Sequence, residues 1–315
     1  MPAPPRRWRG NTAEIAADGI DLLIDLKGYC EGGRPEIPAL RPAPVQATHL
    51  GYPGPLGAPW IDYVIADPVV LPAEAQPHWR ERIVHLPHCY QPNDRARPSP
   101  PPDTDRAAHG LPEQGLVFAC FNNPYKITPE IFATWMSLLR AVPESVLWLY
   151  KENALVAESL RGEARRHGLD PARLRFAPPA DRIAHLARHG CADLFLDTSP
   201  YGAHTTGSDA LWCGLPLVTL RGRGFASRVA TSLSHAVGLP ELSAGSLAEY
   251  EALALRLARD PAERARLRTH LLAARETAPL FDAPGFTRAL EAAYDRMVAM
   301  GRAGESPRGF AITAE

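Results

Sequence analysis

Short apolar runs recur along the chain, and in its second half they alternate with stretches in which apolar residues return every three or four positions. The runs predict strands at 116–121, 145–150, 173–176, 193–197 and 215–220, and the stretches between them predict helices at 128–141, 153–167, 180–189 and 205–213. Strands alternating with helices of this length predict a doubly wound parallel sheet. Helix starts are marked as well: Thr128-Pro129-Glu130 gives an N-cap with proline in the first turn, and Asp260-Pro261 repeats the device before a helix over 261–276. In the first half, Ile20 to Leu26 reads as a buried parallel strand ending at Lys27-Gly28, after the tail of a helix over Thr12–Asp18. Gln46–Tyr52, Ile61–Asp67 and Arg82–Leu86 are further strand candidates. Phe286, Leu290, Ala293 and Met297 recur at helical spacing after Asp282, which predicts a last helix running to about Met300. These signals divide the chain into a first lobe (1–95), a proline-rich linker (96–112), a second lobe (113–283), a helix crossing back to the first lobe (284–300) and a disordered tail (301–315).

Composition narrows the function classes. With 315 residues, 45% apolar and 22% charged, the chain can bury a substantial core. A net charge of −1 gives no electrostatic footprint for nucleic acid or an anionic membrane. No apolar run is long enough to cross a bilayer, and Met1–Gly10 lacks the apolar core of a secretory leader, so a cytoplasmic protein is expected. Five cysteines without CxxC spacing read as buried thiols in a reducing compartment.

Candidate chemistry concentrates at strand ends. Asp193 to Trp212 reads as strand, sharp turn and helix, with Thr205, Thr206 and Gly207 in the helix's first turn. The first amides of a helix lack intrahelical partners and carry partial positive charge, so this turn is suited to a diphosphate, although Thr and Ser also serve as ordinary caps. Phe121-Asn122-Asn123-Pro124-Tyr125-Lys126-Ile127 follows the strand at 116–121, on the same sheet edge. From there Lys126 can neutralise charge on a departing diphosphate, the alternative being a solvated lysine. His185 lies in a helix that starts at the same edge, with Arg182 and Arg188 beside it as donors, and Asp209 lies one turn into the phosphate helix. Asp103-Thr104-Asp105 has the spacing of a metal-binding aspartate motif but falls in the linker. The pairs His85/His88 and His185/His189 lack further ligands, so no metal is expected.

Together these motifs resemble the catalytic region of protein O-linked N-acetylglucosamine transferases of bacterial type, glycosyltransferase family 41. The resemblance runs in order from about residue 12 to 300, through Asp21–Tyr29, Ala39–Gln46, Leu50–Gly54, Phe121–Ile127, Val142–Leu149, Leu196–Thr198 and His204–Trp212. It implies a B-type glycosyltransferase fold with two Rossmann-like lobes. It also implies metal-independent inverting transfer of N-acetylglucosamine from UDP-GlcNAc to Ser or Thr hydroxyls of a protein or peptide, with no cofactor beyond the donor. Alternatives are a UDP-glucose-using or asparagine-modifying relative, or a truncated non-catalytic UDP-binding chain. By resemblance Lys126 assists departure of UDP, and Asn123 stands where a longer glutamine is usual in the donor site. Thr205 and Thr206 hold phosphate oxygens through amides and hydroxyls. His185 stacks on uracil with Ala180 and Arg188 beside it, and Arg182 and Asp209 address the ribose. Leu50, Gly51 and His204 line the sugar pocket. The start of the first lobe, with an active-site histidine, and the helical repeats of the family are expected to be missing here.

Overall fold

The structure, a computed structural model, describes residues 7–314. It divides into two units, one holding the residues up to Pro92 together with those from Asp282 onward, the other Asn93–Phe281.

The first unit carries helix α1 (Arg7–Ala17) and strands β1 (Leu22–Asp25), β2 (Val45–Thr48), β3 (Tyr63–Ala66) and β4 (Arg82–His85). All four apolar runs predicted as strands are strands, and they form a parallel sheet in the order β1-β2-β3-β4. The residues after β2 are tightly fixed. Buried His49 meets the Tyr90 carbonyl through Nε2 at 2.9 Å. Leu50 has φ +69°, a left-handed conformation uncommon for a side chain of its size. At Gly51 a Cβ would stand 2.2 Å from the Leu26 carbonyl oxygen, so only glycine lets the loop pass there.

The second unit holds β5 (Val117–Cys120), α2 (Pro129–Ala141), β6 (Val146–Tyr150), α3 (Ala154–Arg166), β7 (Leu174–Ala177), α4 (Arg182–Ala187), β8 (Leu194–Leu196), α5 (Thr205–Trp212) and β9 (Leu217–Leu220). These match the predicted alternation element by element. Helix α6 (Val229–Ala236), the two-residue β10 (Ser243–Ala244), α7 (Leu247–Arg259) and α8 (Pro261–Thr277) complete the unit. The sheet is parallel in the order β10-β9-β8-β5-β6-β7, with core side chains such as Phe118, Trp148 and Phe195 fully buried. Apolar burial on both faces of these strands explains their continuous rather than alternating hydrophobic runs.

Helix α9 (Ala283–Arg302) closes the first unit. Its Ala293, Met297 and Met300 pack into the core with Val45, Ala47, Tyr63, Ile65, Val84 and Leu86.

Two expectations are corrected. The proline-rich segment is no free linker but part of the second unit. Its backbone bonds to the rest of that unit in both senses: the Trp212 indole donates to Pro98 O at 3.0 Å, and Asp103 N donates to Ala187 O at 2.9 Å. The tail is also structured over its described residues, which run to 314. Strand β11 (Phe310–Ala311) pairs in parallel with β4, and Phe310 and Ile312 pack against the first unit's core. Two paired residues are too few to leave a periodic signal in the sequence, which is why the segment reads as polar coil.

Candidate functional site

The strand order of the second unit reverses between β5 and β8, which lie side by side. Open α/β sheets bind ligands beyond the carboxyl ends of strands at such a switch point. Here the two strands deliver Asn122-Asn123 and Asp197-Thr198.

From β5 the chain enters a 3-10 turn, Pro124–Lys126, capped by the Asn123 side chain, which accepts from Tyr125 N. The turn directs Lys126 back over the sheet end. Its ammonium donates to the Gly202 carbonyl at 2.9 Å and lies 3.9 Å from the centre of the Tyr201 ring. Burial lowers the Lys126 pKa, while the carboxylate of Asp197 acts in the opposite sense. Lys126 forms no ion pair among the described residues, so a half-buried cation stands ready for an anion.

From β8 the loop 198–204 leads to α5. Its N-cap residue, His204, makes no side-chain capping bond, whereas Thr128, Asn153, Asp181, Ser246 and Asp260 cap α2, α3, α4, α7 and α8 through theirs. The amides of Gly207 and Ser208 turn back to the His204 carbonyl, while those of Thr205 and Thr206 have no acceptor within the helix. Thr205 is exposed and Thr206 half-buried, and from Gly207 to Trp212 the helix is buried. Gly207 serves packing rather than phosphate approach, since a Cβ there would meet Ala203, Leu233 and Leu217 at 3.2–3.4 Å. His204 Nε2 is buried without a partner. Burial, then the Lys126 charge, depress this histidine to about 4, so it is neutral at pH 7.

Beside the cradle, α4 sets His185 edge-on to Phe121, with ring centroids 5.6 Å apart. Buried Arg188 lies over the same Phe121 ring and donates to Pro178 O at 2.8 Å and to His185 Nδ1 at 2.6 Å. Arginine can only donate, so His185 carries its proton on Nε2. Burial, reinforced by Arg188 and Arg182, lowers its pKa to about 4. Arg182 and Ala180 are exposed near the start of this helix.

Asp209 has a partner that the sequence reading missed. Arg97, from the proline-rich segment, forms a buried ion pair with it and lies over Trp212. Burial raises the Asp209 carboxyl and lowers the Arg97 guanidinium, each against their mutual attraction. Asn122 and Asp197 were also missed as site residues. Both are buried, and Asp197 is pushed up to about 6 by desolvation in spite of four hydrogen bonds to its carboxylate. An apolar run followed by a lone polar residue is the only sequence trace such a group leaves. Leu50 and Gly51 lie in the first unit, apart from this list.

One further cluster bears on metal binding. Asp103, His109 and Cys191 place ligand atoms within 4.8 Å of one another. His109 already pairs with Asp103 at 2.7 Å, the Cys191 thiol is bonded to the Asp103 carbonyl, and burial raises that thiol to about 11.

The profile of glycosyl transferase family 41 matches residues 7–100 and 93–290. The chain belongs to glycosyltransferase family 41. Within the family it is 40% identical over 304 residues to the probable UDP-N-acetylglucosamine–peptide N-acetylglucosaminyltransferase SEC of Arabidopsis thaliana, covering 95% of this chain and 31% of that protein. The chain thus spans about a third of the length of this relative. A solved lysine-to-methionine variant of the Thermobaculum terrenum O-GlcNAc transferase superposes with a TM-score of 0.86 at 33% identity, covering 96% of this chain and 58% of that one. Sucrose-phosphate synthase from Thermosynechococcus elongatus, at 15% identity and a TM-score of 0.64 over 95% of this chain and 81% of that one, shares the fold. The family 41 chain therefore has the B-type glycosyltransferase fold, with two parallel-sheet α/β lobes.

Proposed function

We propose that this chain carries the donor-binding and transfer chemistry of a metal-independent, inverting glycosyltransferase that moves N-acetylglucosamine from UDP-GlcNAc to Ser or Thr hydroxyls of a protein or peptide. The observation that carries the reading is the convergence, at the switch point, of the Lys126 ammonium with the uncapped N-terminus of α5. Both offer positive potential to the same small region, and neither has an anionic partner among the described residues. The names of the Arabidopsis and Thermobaculum relatives support N-acetylglucosamine as the sugar.

On this reading the diphosphate lies against the first-turn amides of α5, with uracil against His185 and Arg188 and the ribose near Arg182 and Asp209. Ala180 and Asn123 complete the donor contacts, and His204, Leu50 and Gly51 contact the sugar. The acceptor oxygen attacks the anomeric carbon as the bond to the diphosphate oxygen breaks, and its proton passes to water. Negative charge grows on the departing UDP, and Lys126 stabilises it where it develops. A nearby cation and helix amides can do this without a divalent ion.

Calorimetric titration with UDP tests the reading. UDP should bind, and EDTA should leave the affinity unchanged. Hydrogen bonds to charged groups contribute about 1.5–3 kcal/mol, so Lys126→Ala should weaken UDP about tenfold to a hundredfold. No detectable binding by the folded chain, or equal affinity for Lys126→Ala, would overturn the assignment.

A further inference from the structure

The end of β5 and the end of β8 are tied by a hydrogen-bond chain whose direction is fixed. Asp197, fully buried, accepts through Oδ1 from Thr198 N (2.7 Å), Ala203 N (2.7 Å) and Asn122 Nδ2 (2.9 Å), and through Oδ2 from the Thr219 hydroxyl (2.7 Å). An ionised carboxylate only accepts, so it holds the NH2 side of the Asn122 amide toward itself. The same NH2 donates to Thr198 Oγ1 at 2.7 Å. The Asn122 carbonyl oxygen must then face the other way, and there it takes the hydroxyl proton of Thr206. A hydroxyl has one proton, and a UDP diphosphate at neutral pH has none to give. Thr206 Oγ1 therefore cannot donate to a phosphate while this chain is intact.

We propose that Asn122 and Asp197 are a positioning pair for the donor cradle, orienting the 198–204 loop that leads into α5 so that backbone amides and Lys126, rather than the Thr206 hydroxyl, hold the diphosphate. This rests on the reading of the switch point as a UDP site. It corrects the family-based expectation that both threonine hydroxyls touch phosphate. The pair acts on both halves of the cradle. Through Thr198 Oγ1, which donates to Tyr201 O at 2.7 Å, it sets the loop that enters α5, and it takes up the Thr206 hydroxyl. Through Ala203 N it fixes the residue after Gly202, whose carbonyl receives the Lys126 ammonium. Tyr250 backs the arrangement by donating to Asp197 O at 3.0 Å, and the Trp135 indole donates to Tyr250 at 3.1 Å.

The test is UDP titration of the whole chain, with thermal unfolding of each variant. Misplacing binding groups by about an ångström is expensive, so Asn122→Ala and Asp197→Asn should each weaken UDP about tenfold or more. Thr206→Val should lower stability but change UDP affinity less than about threefold, because its amide remains, and Thr206→Ser should restore the stability. Trp135→Phe, which removes a buried donor from the same network but not from the pair, should destabilise without changing UDP affinity. That control separates positioning from general weakening of the fold. Should Asn122→Ala not fold, Asn122→Ser makes the same comparison. Wild-type affinity in the Asn122 variants, or a loss in Thr206→Val as large as theirs, overturns the proposal while leaving the UDP site standing. A wild-type chain that does not bind UDP at all overturns the site itself.

Discussion

At the scale of single residues, the switch point buries imidazoles that stay neutral, and this sets a pH dependence for the fold. Burial depresses His189 to about 3 and, with neighbouring charges, His185 and His204 to about 4. An unfolded histidine titrates near 6.5. Between that value and the folded value the unfolded chain binds more protons, so stability is lost as pH falls through the window. For His189, fully buried, the slope is about 1.4 kcal/mol per pH unit below 6.5. Asp197 has the opposite sign: raised to about 6, it binds a proton in the folded state first, and its contribution declines as pH rises from about 4 to 6. Three histidines outweigh one carboxylate, so the melting temperature should drop between pH 7 and pH 5. His189→Gln, which cannot titrate, should show a shallower drop in thermal unfolding scans at the two pH values. An unchanged slope in that variant would show that His189 is not a source of the acid sensitivity.

At the scale of elements, legibility followed length and capping, with α7 the exception: thirteen residues long and capped by Ser246, it was not predicted. Helices α2 and α8 were visible because each opens with a hydroxyl or carboxylate cap followed by proline, and the structure draws those caps at Thr128 and Asp260. The strands of the second unit were visible because burial on both faces makes them continuous apolar runs. β10 and β11 were not, since two residues define no period, and α6 was not, because its eight residues bury Thr231, Ser232 and Ser234 beside its apolar side chains and so break the apolar pattern. Candidate site residues could be singled out in the sequence where they follow soon after an apolar run, as Lys126 and Thr206 do. The site was illegible where partners come from a segment of misleading composition, as Arg97 does, or where a residue acts from behind, as Asn122 and Asp197 do. One helix makes the link between capping and function testable. Asp181 accepts from Ala184 N at 2.9 Å and caps α4, only six residues long, on which His185 rides. Loss of such a cap costs about 1 kcal/mol. Asp181→Ala should lower stability by about that amount in urea unfolding and weaken UDP severalfold, through looser placement of His185 rather than loss of a ligand contact. A UDP affinity unchanged to within error would separate α4 from the base site.

At the scale of the whole molecule, the two units differ in how the chain builds them. The second is one continuous stretch, Asn93–Phe281, with its own six-stranded sheet. The first is assembled from both ends: the core beneath β2, β3 and β4 is completed by Ala293, Met297 and Met300 of α9, and β11 pairs with β4. Fully burying a methionine contributes about 1.5–3 kcal/mol, and a domain's net stability is only about 5–15 kcal/mol. Removing two methionines, Phe310 and the β4 pairing therefore takes away a large share of what holds the first unit. A chain ending at Phe281 should lose that unit while keeping the second. Limited proteolysis of this shortened chain should degrade the region before Pro92 and leave a resistant fragment beginning near Asn93. That fragment should bind UDP about as tightly as the whole chain, because Lys126, His185, Arg188 and the start of α5 all lie within it. It should gain less from the sugar of UDP-GlcNAc than the whole chain does, because it keeps the contact proposed for His204 but loses those proposed for Leu50 and Gly51. Resistance of the first 92 residues in the shortened chain would show that α9 and β11 are ornaments on a core complete without them. A resistant 93–281 fragment that failed to bind UDP would place essential donor contacts in the first unit.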